Sequence, residues 1–198
     1  IEGLAYRPLR EATSLAVLIT AIGVSYFLQN SALLIWGATP KVFSPIVEGT
    51  QNIGGLSVSN ISLLTMAACI VIMVVLTLFT SKTKMGKAMR ACSEDKGAAQ
   101  LMGINVNRTI STTFAIGSAL AAVAGVLMCS AYPTLMPTTG SMPGIKAFTA
   151  AVFGGIGSIP GAFLGGILLG VIESLAKAYI STQLANAILF AVLIVSLL

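Results

Sequence analysis

The chain contains no histidine, and only 9% of its 198 residues are charged. A soluble domain usually carries about 25% charged residues, so this chain cannot cover itself with a water-compatible surface. With no histidine, and with Cys69, Cys92 and Cys129 in no CxxC spacing, no zinc ligand set is expected. Unpaired cysteines also exclude a disulfide-stapled secreted module. No serine lies in GxSxG, no GxxxxGK[ST] loop occurs, and the six acids are scattered. The chain is therefore expected not to be an enzyme by itself and to hold no cofactor. A net charge of +5 looks basic, but the eleven Lys and Arg form no face for nucleic acid. What is abundant is apolar: hydrophobic residues make up 56%, far too many for a disordered chain. These quantities point to an all-α integral membrane protein.

The apolar runs give its organisation. Ala12–Trp36 has spanning length and no Asp, Glu, Lys or Arg, with Gln29 and Asn30 near its far end. Ile61–Thr80 is 20 residues without a charge, the length that crosses a bilayer as a helix. Thr109–Ala131 and Ala162–Ala178 read as two more spans. Ile145–Phe153 is apolar but too short to span. Gly37–Asn60 and Tyr132–Gly144, rich in Gly and Pro, read as loops. The sequence opens at Ile1 rather than Met, and Ala187–Leu198 is an apolar run of 12 residues. The reading is a fragment of a polytopic helical bundle with about five to six membrane segments, one broken at a Gly-rich stretch.

Six of the eleven basic residues lie between Ser81 and Arg108, against only Glu94 and Asp95. Short cytoplasmic loops are enriched in Lys and Arg. Segment 81–108 is therefore placed inside, as are Arg7 and Arg10. Gly37–Asn60 and Tyr132–Gly144 then fall outside. The inner segment has helical signals of its own. Ser93 is a candidate N-cap, and Glu94 and Asp95 would suit the positive end of the helix dipole. Gly103 sits where a helix ends in the left-handed conformation. A short helix over Glu94–Met102 follows, with Asn105 or Asn107 capping the next span. So short a helix needs a surface to pack on, either its own membrane domain or a cytoplasmic partner.

The stretch Met85-Gly86 through Arg90-Ala91-Cys92-Ser93-Glu94-Asp95, then Ala98-Ala99-Gln100-Leu101-Met102-Gly103-Ile104-Asn105, resembles the cytoplasmic loop of the branched-chain amino acid permeases of bacterial ABC importers, the Liv type. Lys146–Ala162, with Gly154-Gly155-Ile156-Gly157-Ser158-Ile159-Pro160-Gly161, is similar to that family's Gly-rich segment. Ala5–Arg10 and Phe27–Asn30 also look familial. The resemblance implies that segment 81–108 meets the ATP-binding subunit as a coupling element, through Gly86, Arg90, Glu94, Asp95, Ala98, Ala99 and Gly103. It implies one transmembrane permease domain over 1–198, two ATP-binding subunits, a second permease subunit and an extracytoplasmic solute-binding protein. The location it implies is the bacterial cytoplasmic (inner) membrane, crossed several times. The general importer pattern continues with Leu-Pro, which is absent here, and the spacing is stretched.

Residues 154–170 hold seven of the twenty glycines. Gly155, Gly157 and Gly161 make GxGxxxG in apolar surroundings, which is not a dinucleotide fingerprint. Gly161xxxGly165 and Gly166xxxGly170 read as small-residue seams for close helix approach, as do Gly117, Ala121 and Gly125. Gly154–Gly161 reads as either such packing or an unwound stretch beside a solute path. Gln29, Asn30, Gly154, Gly155, Gly157 and Ser158 are the candidate path residues. Thr112, Thr113, Ser118 and Thr149 are further polar groups that either line a path or bond a neighbouring helix. Intramembrane ionisable groups are scarce, although Glu173 and Lys177 are spaced to pair. That scarcity suits an importer driven by ATP hydrolysis on partner subunits. A related permease for urea, amides or another small solute, and an ATP-independent carrier or channel, stay open as alternatives.

Overall fold

The computed structural model describes residues 14–44, 49–53, 56–155 and 157–179, with isolated positions 184, 187, 191, 192 and 194. Arg7, Arg10 and the Ala5–Arg10 motif lie outside the described residues, as does nearly all of the run 187–198. Four long helices carry the apolar runs: α1 (Ser14–Trp36), α2 (Asn60–Lys82), α5 (Val106–Ala131) and α7 (Ile159–Tyr179). Each is long and apolar enough to cross a membrane. The fold is the helical, polytopic architecture expected from composition. Shorter helices are α3 (Lys84–Glu94), α4 (Lys96–Leu101) and α6 (Ser141–Phe153).

The spans satisfy their own polar groups. Thr20 donates to the Ala16 carbonyl, Ser31 to Phe27, Thr65 to Ile61, Thr77 to Met73 and Ser130 to Val126. Each hydroxyl reaches back four residues, so no partner helix is needed to satisfy it. The described residues of Gly37–Asn60 include strands where a plain loop is expected. β2 (Thr50–Ile53) pairs antiparallel with β3 (Leu56–Ser59), placing Gln51 opposite Val58. β1 (Lys41–Val42) pairs with β4 (Thr134–Leu135), so the two loops placed on one side by charge counting do meet.

The chain forms two compact units, Ile1–Ala67 with Lys82–Thr139, and Ala68–Ser81 with Gly140–Leu198. In the second unit α6 and α7 pack as an antiparallel hairpin. The facing stripe of α7 is Gly165, Leu169, Glu173 and Ala176, and Gly165, Leu169 and Ala176 are buried. That of α6 holds Lys146, Thr149 and Ala150, with Thr149 buried. Backbone approaches backbone at three glycines. A Cβ on Gly154 would overlap the Gly161 carbonyl, and a Cβ on Gly161 would overlap the Gly154 carbonyl. A Cβ on Gly165 would lie 2.6 Å from the Ala150 carbonyl oxygen. Among the described residues, nothing stands within 4 Å of a Cβ added at Gly170, Gly117 or Gly125. The expected close approach at Gly161 and Gly165 is present and extends to Gly154, whereas Gly170, Gly117 and Gly125 meet no neighbour among the described residues.

Further from the turn, Lys146 on α6 and Lys177 on α7 both donate to Glu173 Oε1, at 2.7 and 2.6 Å. The Glu173–Lys177 pair follows the expected spacing of four. Lys146 joins from the other helix, 27 residues away in sequence, where no local pattern reveals it.

Gly161→Ala should destabilise the hairpin by about 1–3 kcal/mol, the usual cost of overpacking. Gly170→Ala should be neutral. Denaturant titration of the two purified variants in mixed micelles checks the contrast, and equal losses would contradict the packing.

Candidate functional site

Segment 81–108 folds as two short helices rather than one. Thr83 opens α3, its side chain accepting from the Gly86 N–H at 3.0 Å. α3 ends at Glu94, so the expected helix over Glu94–Met102 is shortened to Lys96–Leu101. The N-cap is Asp95, not Ser93. The Ser93 hydroxyl donates back to the Arg90 carbonyl at 2.7 Å and is spent on α3. Asp95 has extended backbone, and its Oδ1 accepts from Gly97 N at 2.7 Å and Ala98 N at 3.1 Å. A carboxylate makes the stronger cap because its charge also meets the helix dipole. The Asp95 N–H in turn bonds the Ala91 carbonyl. One residue thus closes α3 and opens α4.

The far end of α4 is a complete Schellman closure. Gly103 N donates to Gln100 O and Ile104 N to Ala99 O, at 3.0 and 3.1 Å. Gly103 has φ +81, the left-handed conformation expected of it, which glycine adopts without a steric penalty. Asn105 then caps α5 by accepting from Arg108 N at 3.0 Å. Four residues, Met102 to Asn105, therefore connect this short helix rigidly to a long apolar one.

The coupling candidates separate into two sets. Gly86 and Ala99 are buried against the protein itself, where α3, α4 and α5 pack together. Within the chain, Ala99 is buried while its neighbour Ala98 is exposed. Arg90, Glu94, Asp95, Ala98 and Gly103 are exposed. Arg90 and Glu94 lie four apart on α3 but form none of the ion pairs among the described residues, consistent with Arg-before-Glu being the weaker order. Two residues absent from the candidate set are large, apolar and almost fully exposed: Leu101 at 91% and Met102 at 83%. Two adjacent apolar side chains in the most charged stretch of the chain were the available signal. A groove of about 640 Å³ beside them is lined by Lys96, Gln100, Asn105 and Asn107.

The path candidates fall in both units. On α1, Asn30 donates to the Tyr26 carbonyl at 2.8 Å, and Gln29 to Ser25 Oγ at 3.4 Å. Thr112, Thr113, Ser118 and Thr149 likewise bond carbonyls of their own helices. The Gly-rich break is real and shorter than expected. α6 stops at Phe153 and α7 begins at Ile159, so Gly161 is helical. Gly155 and Gly157 have φ +91 and +99. Ser158 caps α7, accepting from Gly161 N at 3.1 Å, with Pro160 in the first turn, where it costs no hydrogen bond. Gly155, Gly157 and Ser158 are exposed at the tip.

If Asp95 sets the helix, Asp95→Ala should cost about 1 kcal/mol locally, while Ser93→Ala should leave α4 intact. Hydrogen–deuterium exchange across residues 96–101 measures this; faster exchange in the Ser93 variant alone would contradict the cap.

The family model described as "Branched-chain amino acid transport system / permease component" matches residues 3–197. The high-affinity branched-chain amino acid transport system permease protein LivH of Salmonella typhimurium is 48% identical over 100% of this chain and 66% of its own length. BraD of Pseudomonas aeruginosa, a permease of the same description, is 45% identical over the same shares. The autoinducer 2 import system permease protein LsrD of Salmonella paratyphi B is 30% identical over 92% of this chain and 58% of its own length. The chain thus spans just under two thirds of the LivH and BraD lengths. No solved structure matches it. By sequence, and by the helical architecture that carries it, the chain belongs to the family of branched-chain amino acid transport permease components.

Proposed function

We propose that the chain is part of the membrane-spanning permease subunit of an ATP-driven importer for branched-chain or similar neutral amino acids. On this reading residues 1–198 belong to one permease domain in the bacterial cytoplasmic membrane, with α3 and α4 on the cytoplasmic side. ATP-binding subunits, a second permease subunit and an extracytoplasmic solute-binding protein complete the assembly.

The observation that carries the reading is α4. It is capped at both ends and fixed to α5, yet it holds Leu101 and Met102 out at 91% and 83% exposure. A six-residue helix is unstable alone, and apolar side chains held in water favour a partner groove. Lys82, Lys84, Lys87 and Arg90 precede this element in the chain, a concentration of basic residues that favours the cytoplasmic side. ATP-driven closure of the partner subunits would move α4, and through Gly103–Asn105 the spanning helix α5. The Gly154–Ser158 turn and the Gln29–Asn30 region of α1 would line the solute path. The LivH and BraD similarities favour amino acids as cargo. The LsrD similarity keeps a related small-solute importer as the second reading.

Uptake competition among leucine, urea and ribose in the reconstituted complex tests the cargo; competition by leucine alone is expected. Leu101→Asp, Glu94→Arg, or a Gly inserted between Ala98 and Ala99, should separate ATP hydrolysis from uptake while membrane insertion persists. The insertion turns Leu101 by about 100° around the helix. Fully coupled uptake in all three variants would refute the docking role.

A further inference from the structure

We infer that α6 and α7 travel through the transport cycle as one rigid hairpin, and that Lys146 and Glu173 are positioning residues that hold its Gly154–Ser158 turn in place. The assay rests on the importer reading above; the geometry does not.

The hairpin is fastened at three levels. At the turn, the Gly154 and Gly161 backbones are in contact. One helical turn further along, Gly165 lies against Ala150. Further still, Lys146 reaches across to Glu173, which is only 17% exposed. Sliding α7 by one turn in one direction would bring Leu169 to the place beside Ala150 where only glycine fits. Sliding it the other way would unwind the first turn, which Ser158 caps. Either movement separates Lys146 from Glu173, a partly covered carboxylate whose ion pairs are screened less than those of a fully exposed one. Lys177 alone cannot replace Lys146, because it lies on α7 and holds nothing across the gap.

The length of α6 explains why the turn needs holding. Its 13 residues extend about 20 Å, short of the roughly 30 Å hydrocarbon thickness. An arm of this length ends within the hydrocarbon. Its non-helical tip must then lie against protein or a wet path, since lipid offers no hydrogen bonds. Loosening the hairpin would expose the tip's backbone to lipid. At the other end, α6 begins at Gly140 with no side-chain cap.

The site of a decisive cross-link is given by Gly166. A Cβ there would lie 3.9 Å from the Ala150 Cβ, within the range spanned by a disulfide. In a background with Cys69, Cys92 and Cys129 changed to Ala, Ala150→Cys with Gly166→Cys should oxidise fully. The oxidised complex should keep more than about half of the reduced complex's leucine uptake. Lower uptake, restored by reductant, would overturn the inference, and so would thiols that fail to join. Absence of ATP-driven uptake in the reduced complex would instead count against the importer reading.

A second measurement does not depend on cysteines. Lys146→Glu alone should raise the ATP hydrolysed per leucine imported several-fold. Adding Glu173→Lys restores one carboxylate on α6 facing two ammonium groups on α7, and should return that ratio to its original value. A ratio unchanged in Lys146→Glu, or not rescued in the double variant, would remove the positioning role.

Discussion

A backbone inside hydrocarbon must satisfy its hydrogen bonds within the protein. Most of this structure is a response to that constraint. The long helices meet it by their ladders, and their hydroxyls fold back onto carbonyls of the same helix, as Thr65 and Ser130 do. The Gly154–Ser158 turn cannot use a helical ladder. It relies on contacts a helix does not need: Gly155 N to Val152 O, Ser158 N to Gly155 O, and the Ser158 side chain to Gly161 N. Glycine is required there twice over, for the positive φ at Gly155 and Gly157 and for the close approach at Gly154 and Gly161. A local backbone break and a tertiary contact thus draw on the same few residues.

Charge is handled in two different ways. In segment 81–108 the basic side chains are exposed and solvated, and the only carboxylate with a structural task is the Asp95 cap. In the α6–α7 hairpin, Glu173 is largely covered and takes both Lys146 and Lys177. Exposed pairs contribute little, and the structure forms none between Arg90 and Glu94. The covered pair crosses between helices, where it fixes an arrangement rather than adding to a surface.

Much of this was legible in the sequence. Uncharged runs of spanning length gave four helices nearly to their ends, because hydrocarbon thickness sets their length. Gly103 was readable as a helix stop, since only one local conformation ends a helix that way with glycine. Ser93 was misread because capping propensity ranks Ser and Asp together. The choice between them depends on where α3 stops, and α3 runs on to Glu94, past Ser93. The β2–β3 pair went unseen because its alternation is four residues long on each side and sits among Gly and Pro. The Lys146–Glu173 pair has no local signature at all. The coupling candidates suffered from a related limit: pattern matching cannot tell an alanine facing inward, Ala99, from one facing outward, Ala98, without knowing which side α5 covers.

The same geometry bears on how a push at the surface reaches the membrane. A flexible loop would absorb displacement by changing its own torsions. Between α4 and α5 there is little to absorb it: Met102 to Asn105 are tied by the Schellman closure and by the Asn105 cap on Arg108. Between α3 and α4 there is one residue, Asp95, bonded in both directions. Ala99 rests on the neighbouring helices, so α4 cannot sink without moving them. In an importer of the kind proposed, force applied at Leu101 and Met102 would therefore reach the foot of α5 with little loss. The opening of α6 is built differently: Gly140 stands at its N-cap with no side-chain hydrogen bond to hold the first turn.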